Sequence, residues 1–207
     1  MNNRIESPTM RRRTMLGAAG GLSGLSLATT TAAQTVGSSI AVRQAWAHAD
    51  GRVKLMPNAH LPGSAEDILA IHQIFARYGI AYDEGQNDVL RSLFTDDAVV
   101  EVAEASGTPF QRLAGIEHIA ANFAETFRQQ GDQRRHCITN VTVEAIGGDE
   151  AVALAYGIVL VNGLEIGAAV IYDTRLRKVD GLWKFTMFFI GMDAYAGVKP
   201  KVESSPQ

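Results

Sequence analysis

The chain has 207 residues, of which 46% are hydrophobic, 20% charged and 7% aromatic, a composition typical of one globular domain. Nineteen Lys and Arg residues against 22 Asp and Glu residues give a net charge of −3, so no strongly basic surface indicates a nucleic-acid partner. The single cysteine, Cys137, excludes an internal disulfide and a cysteine-built zinc site, and we expect it to be a small buried side chain. No uninterrupted apolar run reaches the roughly 18–20 residues that a membrane-spanning helix needs.

The first 33 residues have the pattern of an export signal. Arg11, Arg12 and Arg13 precede a weakly apolar stretch rich in Gly, Ala, Ser and Leu, which ends at Thr31-Ala32-Ala33. The order Arg-Arg-Thr-Met-Leu resembles the twin-arginine (Tat) signal, so we expect a periplasmic or secreted protein. A disordered basic tail is the alternative, and a second small-residue site at Ala45-Trp46-Ala47 leaves the cleavage position open.

The rest of the chain divides by its composition. Residues 34–63 contain Gly and Pro without clear periodicity and predict an irregular N-terminal arm. Residues 64–197 have the patterning of one folded domain. We expect 198–207 to be a flexible tail.

The folded domain begins with a predicted helix. Ser64 is a typical N-cap residue, with an acidic residue three positions later. Apolar residues from Ile68 to Tyr82 recur at helical spacing and predict one buried stripe, which Glu84-Gly85 ends just after Asp83. The next elements are a short helix through Leu90, a strand over Ala98–Val102 and a helix that opens at Gly115-Ile116-Glu117.

Strand-like runs fill the second half of the domain, at 136–146, 151–162, 164–178 and 182–193. Asn162-Gly163 and Asp180-Gly181 separate the later runs, and such dipeptides are strong hairpin signals. Helices followed by a long antiparallel meander indicate an α+β fold, not a parallel α/β sheet.

The last run is apolar on both faces. Strict alternation would place one group of side chains on one face and a second group on the other: Trp183, Phe185, Met187 and Phe189 against Leu182, Phe188 and Ile190. We therefore expect one face to pack on the helices and the other on a partner subunit, in a homodimer or homotrimer.

Polar residues within apolar elements are the candidates for chemistry: Tyr78, Asp83, His136 and Asn140, with Tyr156 and Tyr172 behind them. A carboxylate at a helix C-terminus, such as Asp83, opposes the helix dipole unless it has a partner. His136 paired with a carboxylate would be a general base near neutral pH, although a lone histidine in a strand is often structural. Tyr78 could donate a hydrogen bond to an oxygen that gains charge. Because Tyr78 and Asp83 are about 140° apart around a helix, convergence would require the helix to loosen near Asp83.

No phosphate loop, dinucleotide glycine pattern, nucleophile elbow or three-ligand metal spacing occurs in the sequence. We therefore expect no metal, and none of these motifs indicates a cofactor.

The order of several short motifs resembles the SnoaL-like branch of the NTF2-like superfamily. The motifs are Ile74-Phe75-Ala76-Arg77-Tyr78, Asp83, Leu93-Phe94-Thr95-Asp96-Asp97-Ala98, Gly115-Ile116-Glu117-His118-Ile119, His136 with Asn140, and Asp180-Gly181-Leu182-Trp183-Lys184-Phe185. The resemblance covers about 64–197 and implies a cone-shaped α+β barrel, a curved, mostly antiparallel sheet wrapped on helices around one apolar pocket. Enzymes of this superfamily generally need no cofactor and are commonly dimers or trimers.

The resemblance also implies roles for individual residues. Tyr78 and Asp83 match a tyrosine and an aspartate of bile acid 7α-dehydratase. Asp83 and His136 match the dyad that the dehydratases share with hexachlorocyclohexane dehydrochlorinase, in which the histidine removes a proton and the aspartate orients it. Val102 stands where ketosteroid isomerase has its base, and Phe188 stands where the dehydratases tend to have an arginine. The pocket would therefore lack that cation and take a larger apolar substrate.

These expectations combine into one hypothesis, a dehydratase-type lyase that acts on a hydrophobic hydroxylated ring compound. Asp83, His136 and Tyr78 would be catalytic. The residues expected to bind the substrate are Val100, Val102, Phe123, Asn140, Tyr156, Tyr172 and Phe188. The alternatives are an isomerase or cyclase that uses the same dyad, a protein that only binds a hydrophobic ligand, and a structural subunit.

Overall fold

The computed structural model describes residues 53, 55, 57, 62–104 and 108–195. The export signal predicted over 1–33, nearly all of the arm over 34–63 and the tail over 198–207 lie outside the described residues. These three assignments stay predictions. Of the helices in the described ranges, none is both long and apolar enough to cross a membrane.

The described domain contains three helices and six strands. The helices are α1 (Ala65–Asp83), α2 (Asn87–Ser92) and α3 (Ile116–Gln129). The strands are β1 (Phe94–Glu104), β2 (Pro109–Ala114), β3 (Arg135–Gly147), β4 (Glu150–Val161), β5 (Glu165–Val179) and β6 (Leu182–Tyr195). This confirms the α+β class.

The long helix α1 forms as its sequence predicts. The Ser64 hydroxyl accepts a hydrogen bond from the Asp67 backbone N–H at 3.0 Å and caps the first turn. Ile71, Phe75 and Tyr78 are buried along one face and face the sheet. Their burial holds the whole helix, including its last turn, against the strands.

The strands form one curved sheet in the order β2-β1-β6-β5-β4-β3, which does not close on itself. Strands β3 to β6 make the predicted antiparallel meander, whereas β1 runs parallel to β6. Asn162 and Asp180, and the glycine after each, have positive φ angles, as the predicted hairpin turns require. Strand β2 was not predicted, because it is a short edge strand that starts at a proline.

A β-bulge in β6 makes the expected alternation wrong. Phe185 pairs with Leu176, but Met187 pairs with the preceding residue of β5, so Thr186 is the extra residue. The bulge turns Phe188 to the same side as Phe185, and both side chains are fully buried in the main core. Strict alternation would have placed them on opposite faces.

The outer face of the sheet is apolar in part. Ala103, Ile171 and Phe189 are buried there, with Val53 and Met187 packed against them. Elsewhere on this face Tyr156, Ile158 and Ile166 are exposed. Cys137 pairs with Ile158 and is also exposed, so the expectation that it is buried is wrong. A partner subunit on this face stays a prediction.

Candidate active site

The last turn of α1 lies directly against the first residues of β3. Gly79 makes this close approach possible, because a Cβ atom at Gly79 would lie 3.3 Å from both the Cβ and the carbonyl oxygen of His136. A larger side chain at this position would push β3 away from the helix. The absence of a side chain thus brings His136 within reach of the helix end.

Asp83 and His136 form a buried hydrogen-bonded pair at this contact. The imidazole Nδ1 of His136 is 2.5 Å from Asp83 Oδ1, and the His136 backbone N–H donates to Asp83 Oδ2 at 2.7 Å. Their side chains are 9% and 6% exposed. Because a carboxylate can only accept, Nδ1 carries the proton of this hydrogen bond. The two bonds to Asp83 fix the orientation of the imidazole ring.

Two further contacts secure the end of α1 to the start of β3. The Gln133 side-chain amide donates to the Asp83 carbonyl oxygen at 3.1 Å and satisfies one of the last carbonyls of the helix. The Arg135 guanidinium is 3.0 Å from the Glu84 carboxylate. The carboxylate at the unfavourable end of the helix dipole therefore has the partner that the sequence required.

His136 borders a cavity of about 600 Å³ between the sheet and helices α1 and α3. This volume lies within the roughly 300–1,000 Å³ of small-molecule sites. The apolar part of its wall comes from β1, β2, α3, β4, β5 and β6, and includes Val100, Val102, Phe110, Phe123, Val170 and Ile190. The imidazole Nε2 forms no hydrogen bond with any described residue. Nε2 of His136 is therefore available to a ligand in the cavity.

Three tyrosines line the cavity beside His136. The rings of Tyr78 and Tyr82 have their centroids 6.2 and 4.9 Å from that of the imidazole. Tyr172 packs edge-on against Tyr78 at 6.0 Å. The pKa of the Tyr78 and Tyr172 hydroxyls is raised well above the ordinary value, and burial is the largest cause. Both hydroxyls therefore stay protonated and can donate a hydrogen bond at any physiological pH.

The helix does not have to loosen for Tyr78 and Asp83 to serve one site. Helix α1 remains regular up to Asp83. Tyr78 lines the cavity itself, whereas Asp83 lies behind the wall and reaches it through His136. The expectation of a distorted last turn is therefore wrong, since the imidazole bridges the angular separation.

The structure brings together part of the predicted binding set. Val100, Val102, Phe123 and Tyr172 line the cavity with Tyr78 and His136. Asn140, Tyr156 and Phe188 do not line it, which corrects their placement in the sequence-based pocket. Their positions have separate causes, and each follows from local strand geometry.

Asn140 lies in a β-bulge of β3 and has a φ of 53°. Its side chain is exposed and accepts a hydrogen bond from the Thr139 hydroxyl. Tyr156 points to the outer face of β4 and is 51% exposed. Phe188 is the centre of an aromatic core, with its ring 4.7 Å from those of Tyr78 and Phe185. It supports Tyr78 from behind and makes no part of the cavity wall.

Tyr82 and Arg134 are among the cavity residues that sequence reasoning missed. Tyr82 follows Tyr78 by four positions and shares its helix face. Arg134 precedes His136 by two positions, directly before β3, and lines the same cavity. Both could have been found from these spacings. The last strand lacks the arginine of the dehydratases, as predicted, but Arg134 supplies a different cation from the segment before β3.

Within the described residues, no group of three or more His, Cys, Asp or Glu side chains is arranged to hold a metal ion. The polar residues of the cavity wall are instead spread around it. They are Gln111, Asn122, Thr126, Asp132, Arg134, Asn162 and Glu165.

The chain belongs to the SnoaL-like domain family, whose sequence pattern matches residues 63–188. No curated protein matches the chain. Solved structures with an NTF2-like fold do. One is an NTF2-like protein with a cystatin-like fold from Novosphingobium aromaticivorans, 25% identical over 61% of this chain and 82% of that one, with a TM-score of 0.54.

Two other similar structures carry names of enzymes. A proposed scytalone dehydratase from Novosphingobium aromaticivorans is 18% identical, covering 66% of this chain and 91% of its own, with a TM-score of 0.57. A type 2 hexachlorocyclohexane dehydrochlorinase (LinA) is 21% identical, covering 68% and 95%, with a TM-score of 0.53. At these identities the likeness shows the fold alone.

Proposed function

We propose that the protein is a lyase of the dehydratase type that acts on a hydrophobic hydroxylated ring compound without a cofactor. The observation that carries this proposal is the buried Asp83–His136 pair, in which His136 also lines the cavity. A histidine that merely stabilised the core would be enclosed by core side chains. Here the imidazole borders a space large enough for a fused-ring substrate.

In the proposed reaction, Nε2 of His136 removes a proton from a carbon next to a carbonyl or an aromatic system. Asp83 accepts the Nδ1–H hydrogen bond and stabilises the imidazolium that forms. The electrons of the broken C–H bond form a C=C bond as the C–O bond breaks. The leaving hydroxide takes up the proton held by the His136 imidazolium and departs as water, which returns the imidazole to its neutral form.

Tyr78 is suited to assist the departing or charge-bearing oxygen. Its hydroxyl stays protonated because burial raises its pKa, and it has no hydrogen-bond partner among the described residues. A donor placed in a cavity with a low dielectric constant stabilises an oxyanion more strongly than water does. We assign Tyr78 this role in the same proposal.

The similar structures support an elimination reaction. A dehydratase removes water and a dehydrochlorinase removes hydrogen chloride, and both names occur among the proteins whose fold this chain shares. The same dyad could also move a proton without loss of water, in an isomerase or cyclase. The test must therefore separate these outcomes.

The test is incubation of the protein with hydroxylated fused-ring compounds, followed by chromatography and mass spectrometry. Loss of one water that requires both Asp83 and His136 is the expected result. A product of unchanged mass would replace the lyase with an isomerase or cyclase. Saturable binding with no product in the wild-type protein would instead support a ligand-binding protein.

A further inference from the structure

Arg134 gives the cavity a second polar feature, separate from the dyad. Among the described residues that line the cavity, it is the one permanently charged cation. Its side chain is only 25% exposed. A guanidinium that has lost most of its water must recover hydrogen bonds from neighbouring groups or from a ligand.

The protein satisfies only part of this need. The Nε of Arg134 is 3.6 Å from Asp132 Oδ1, which is too long for a hydrogen bond. With its amide oxygen turned toward the arginine, Gln130 accepts from Nε at 2.9 Å and from Nη1 at 3.2 Å. No described residue accepts from Nη2. The Nη2 group of the Arg134 guanidinium is thus available to donate to an oxygen atom of a ligand.

The position of Arg134 allows one ligand to contact it and His136 together. The two residues are two positions apart in the chain, Arg134 directly before β3 and His136 as its second residue. Both line the same cavity. A ring compound that places an oxygen acceptor on Arg134 would therefore present its ring to the imidazole.

The acidic residues nearby limit what this oxygen can be. Asp132 offsets part of the positive charge of Arg134, and the exposed Glu165 lies in the same wall. A full negative charge on the ligand is therefore favoured by Arg134 and opposed by the two carboxylates. A carbonyl and a carboxylate share the chemistry that the guanidinium recognises, and their relative affinity measures this balance.

We propose that Arg134 is a specificity-determining residue that anchors an oxygen acceptor of the substrate, a carbonyl or a carboxylate, and so orients the ring against His136. This rests on the proposed function only in taking the same cavity as the substrate site. It also adds a directed polar contact to the larger apolar substrate that the sequence predicts, since the cavity wall offers a guanidinium as well as the imidazole.

Three probes of similar shape test the anchor by isothermal titration calorimetry: β-naphthoate, methyl β-naphthyl ketone and isopropylnaphthalene. In Arg134→Gln we expect affinity to fall about tenfold for the carboxylate and about threefold for the ketone, and by less than twofold for the hydrocarbon. Arg128→Gln is the matched control, because Arg128 is an exposed residue of α3 outside the cavity wall, and it should leave all three affinities unchanged.

A second variant changes affinity in the opposite direction. Asp132→Asn removes the competing charge beside Arg134 and should tighten β-naphthoate severalfold, with little change for the ketone and the hydrocarbon. A residue that only held the loop in place would not produce such a selective gain. Equal effects of Arg134→Gln on all three probes, or no binding by the wild-type protein, would overturn the anchor.

The lyase proposal can fail without affecting this result. The probes carry no leaving group, so their binding does not require Asp83 or His136 to act. Selective binding together with no conversion of any hydroxylated compound would keep the anchor and reject the lyase. Conversion that is insensitive to Arg134→Gln, with unselective binding, would keep the lyase and reject the anchor.

Discussion

The two ends of α1 each carry an aspartate that binds the sheet, and the surroundings of these aspartates differ. At the N-terminal end, Asp67 accepts a hydrogen bond from the Trp183 indole N–H at 2.9 Å and is 2.5 Å from the Lys178 ammonium. It is 24% exposed and does not line the cavity that His136 borders. At the C-terminal end, Asp83 is buried and bonded to a histidine that lines the cavity.

The comparison separates a carboxylate that stabilises the fold from one suited to chemistry. Asp67 lies where the helix dipole favours a negative charge, and Lys178 and Trp183 hold its pKa at about 2. Asp83 lies where the dipole opposes a negative charge, and burial adds to the cost. Of these two positions, only the second places its partner in a cavity, which explains why an unfavourable location is retained.

The largest expected effect follows from breaking the C-terminal pair. Asp83→Asn keeps the shape of the side chain but removes the charge that orients and stabilises the imidazolium, so kcat should fall by about 100-fold or more. KM should change little, because Asp83 does not contact the substrate. Steady-state kinetics on a substrate identified by the compound screen checks this, with Asp67→Asn as the matched control. A loss shared equally between kcat and KM would contradict the orienting role.

A smaller effect on activity should follow from moving the partner instead of removing it. Gly79→Ala places a methyl group 3.3 Å from the Cβ and carbonyl oxygen of His136 and shifts the imidazole by a few tenths of an ångström. We expect kcat to fall about tenfold, because catalysis depends steeply on the position of the base. Thermal stability should change little, since alanine favours the helix by up to about 1 kcal/mol over glycine.

Gly63→Ala is the control for this variant at the other end of α1. There the new methyl group would contact the side chain of Ile146, which lies near the other end of β3, ten positions from His136. Activity should stay at the wild-type level. Equal activity in both glycine variants would show that the spacing between α1 and β3 does not position His136.

The C-terminal pair was more predictable from sequence than the N-terminal cluster. Asp83 lies at the C-terminal end of a helix, where the helix dipole opposes its negative charge. The sequence therefore indicated that this carboxylate has a partner. Asp67 is well placed by the helix dipole alone, so nothing in its own segment pointed to Lys178 and Trp183, which are more than a hundred positions away. Such contacts are set by tertiary packing, which local pattern does not encode.

Strand faces were less predictable than helix faces for a similar reason. The spacing of α1 placed Tyr78 in the core correctly, whereas one extra residue at Thr186 reversed the face of Phe188. A β-bulge changes the side of every later residue in the strand, and its sequence signal is weak. Arg134 was missed for a different reason, since its spacing from His136 was visible but no charged residue was expected in an apolar pocket.

Breaking the N-terminal cluster should affect stability and leave the chemistry unchanged. Asp67→Asn removes the ion pair with Lys178 and weakens the bond from Trp183, so the midpoint of thermal unfolding should fall by a few degrees at most. The effect is small because the site is partly exposed. Calorimetry of both proteins checks it, and kcat should match the wild type. If Asp67→Asn lost activity but kept the stability of the wild type, the two ends of α1 would not have separate roles.

The smallest expected effect is the pH dependence of the contribution that Asp67 makes to thermal stability. The Lys178 and Trp183 hydrogen bonds, with that of Ser64, lower the pKa of Asp67 from 3.8 to about 2 on folding. A lowered pKa stabilises the folded state above the unfolded value, and the contribution is lost as pH falls from 3.8 toward 2. The difference in unfolding midpoint between wild type and Asp67→Asn should therefore be constant near neutral pH and shrink below about pH 4. A difference that stayed constant down to pH 2 would show that shape and hydrogen bonding, and not the charge of Asp67, hold this end of α1 to the sheet.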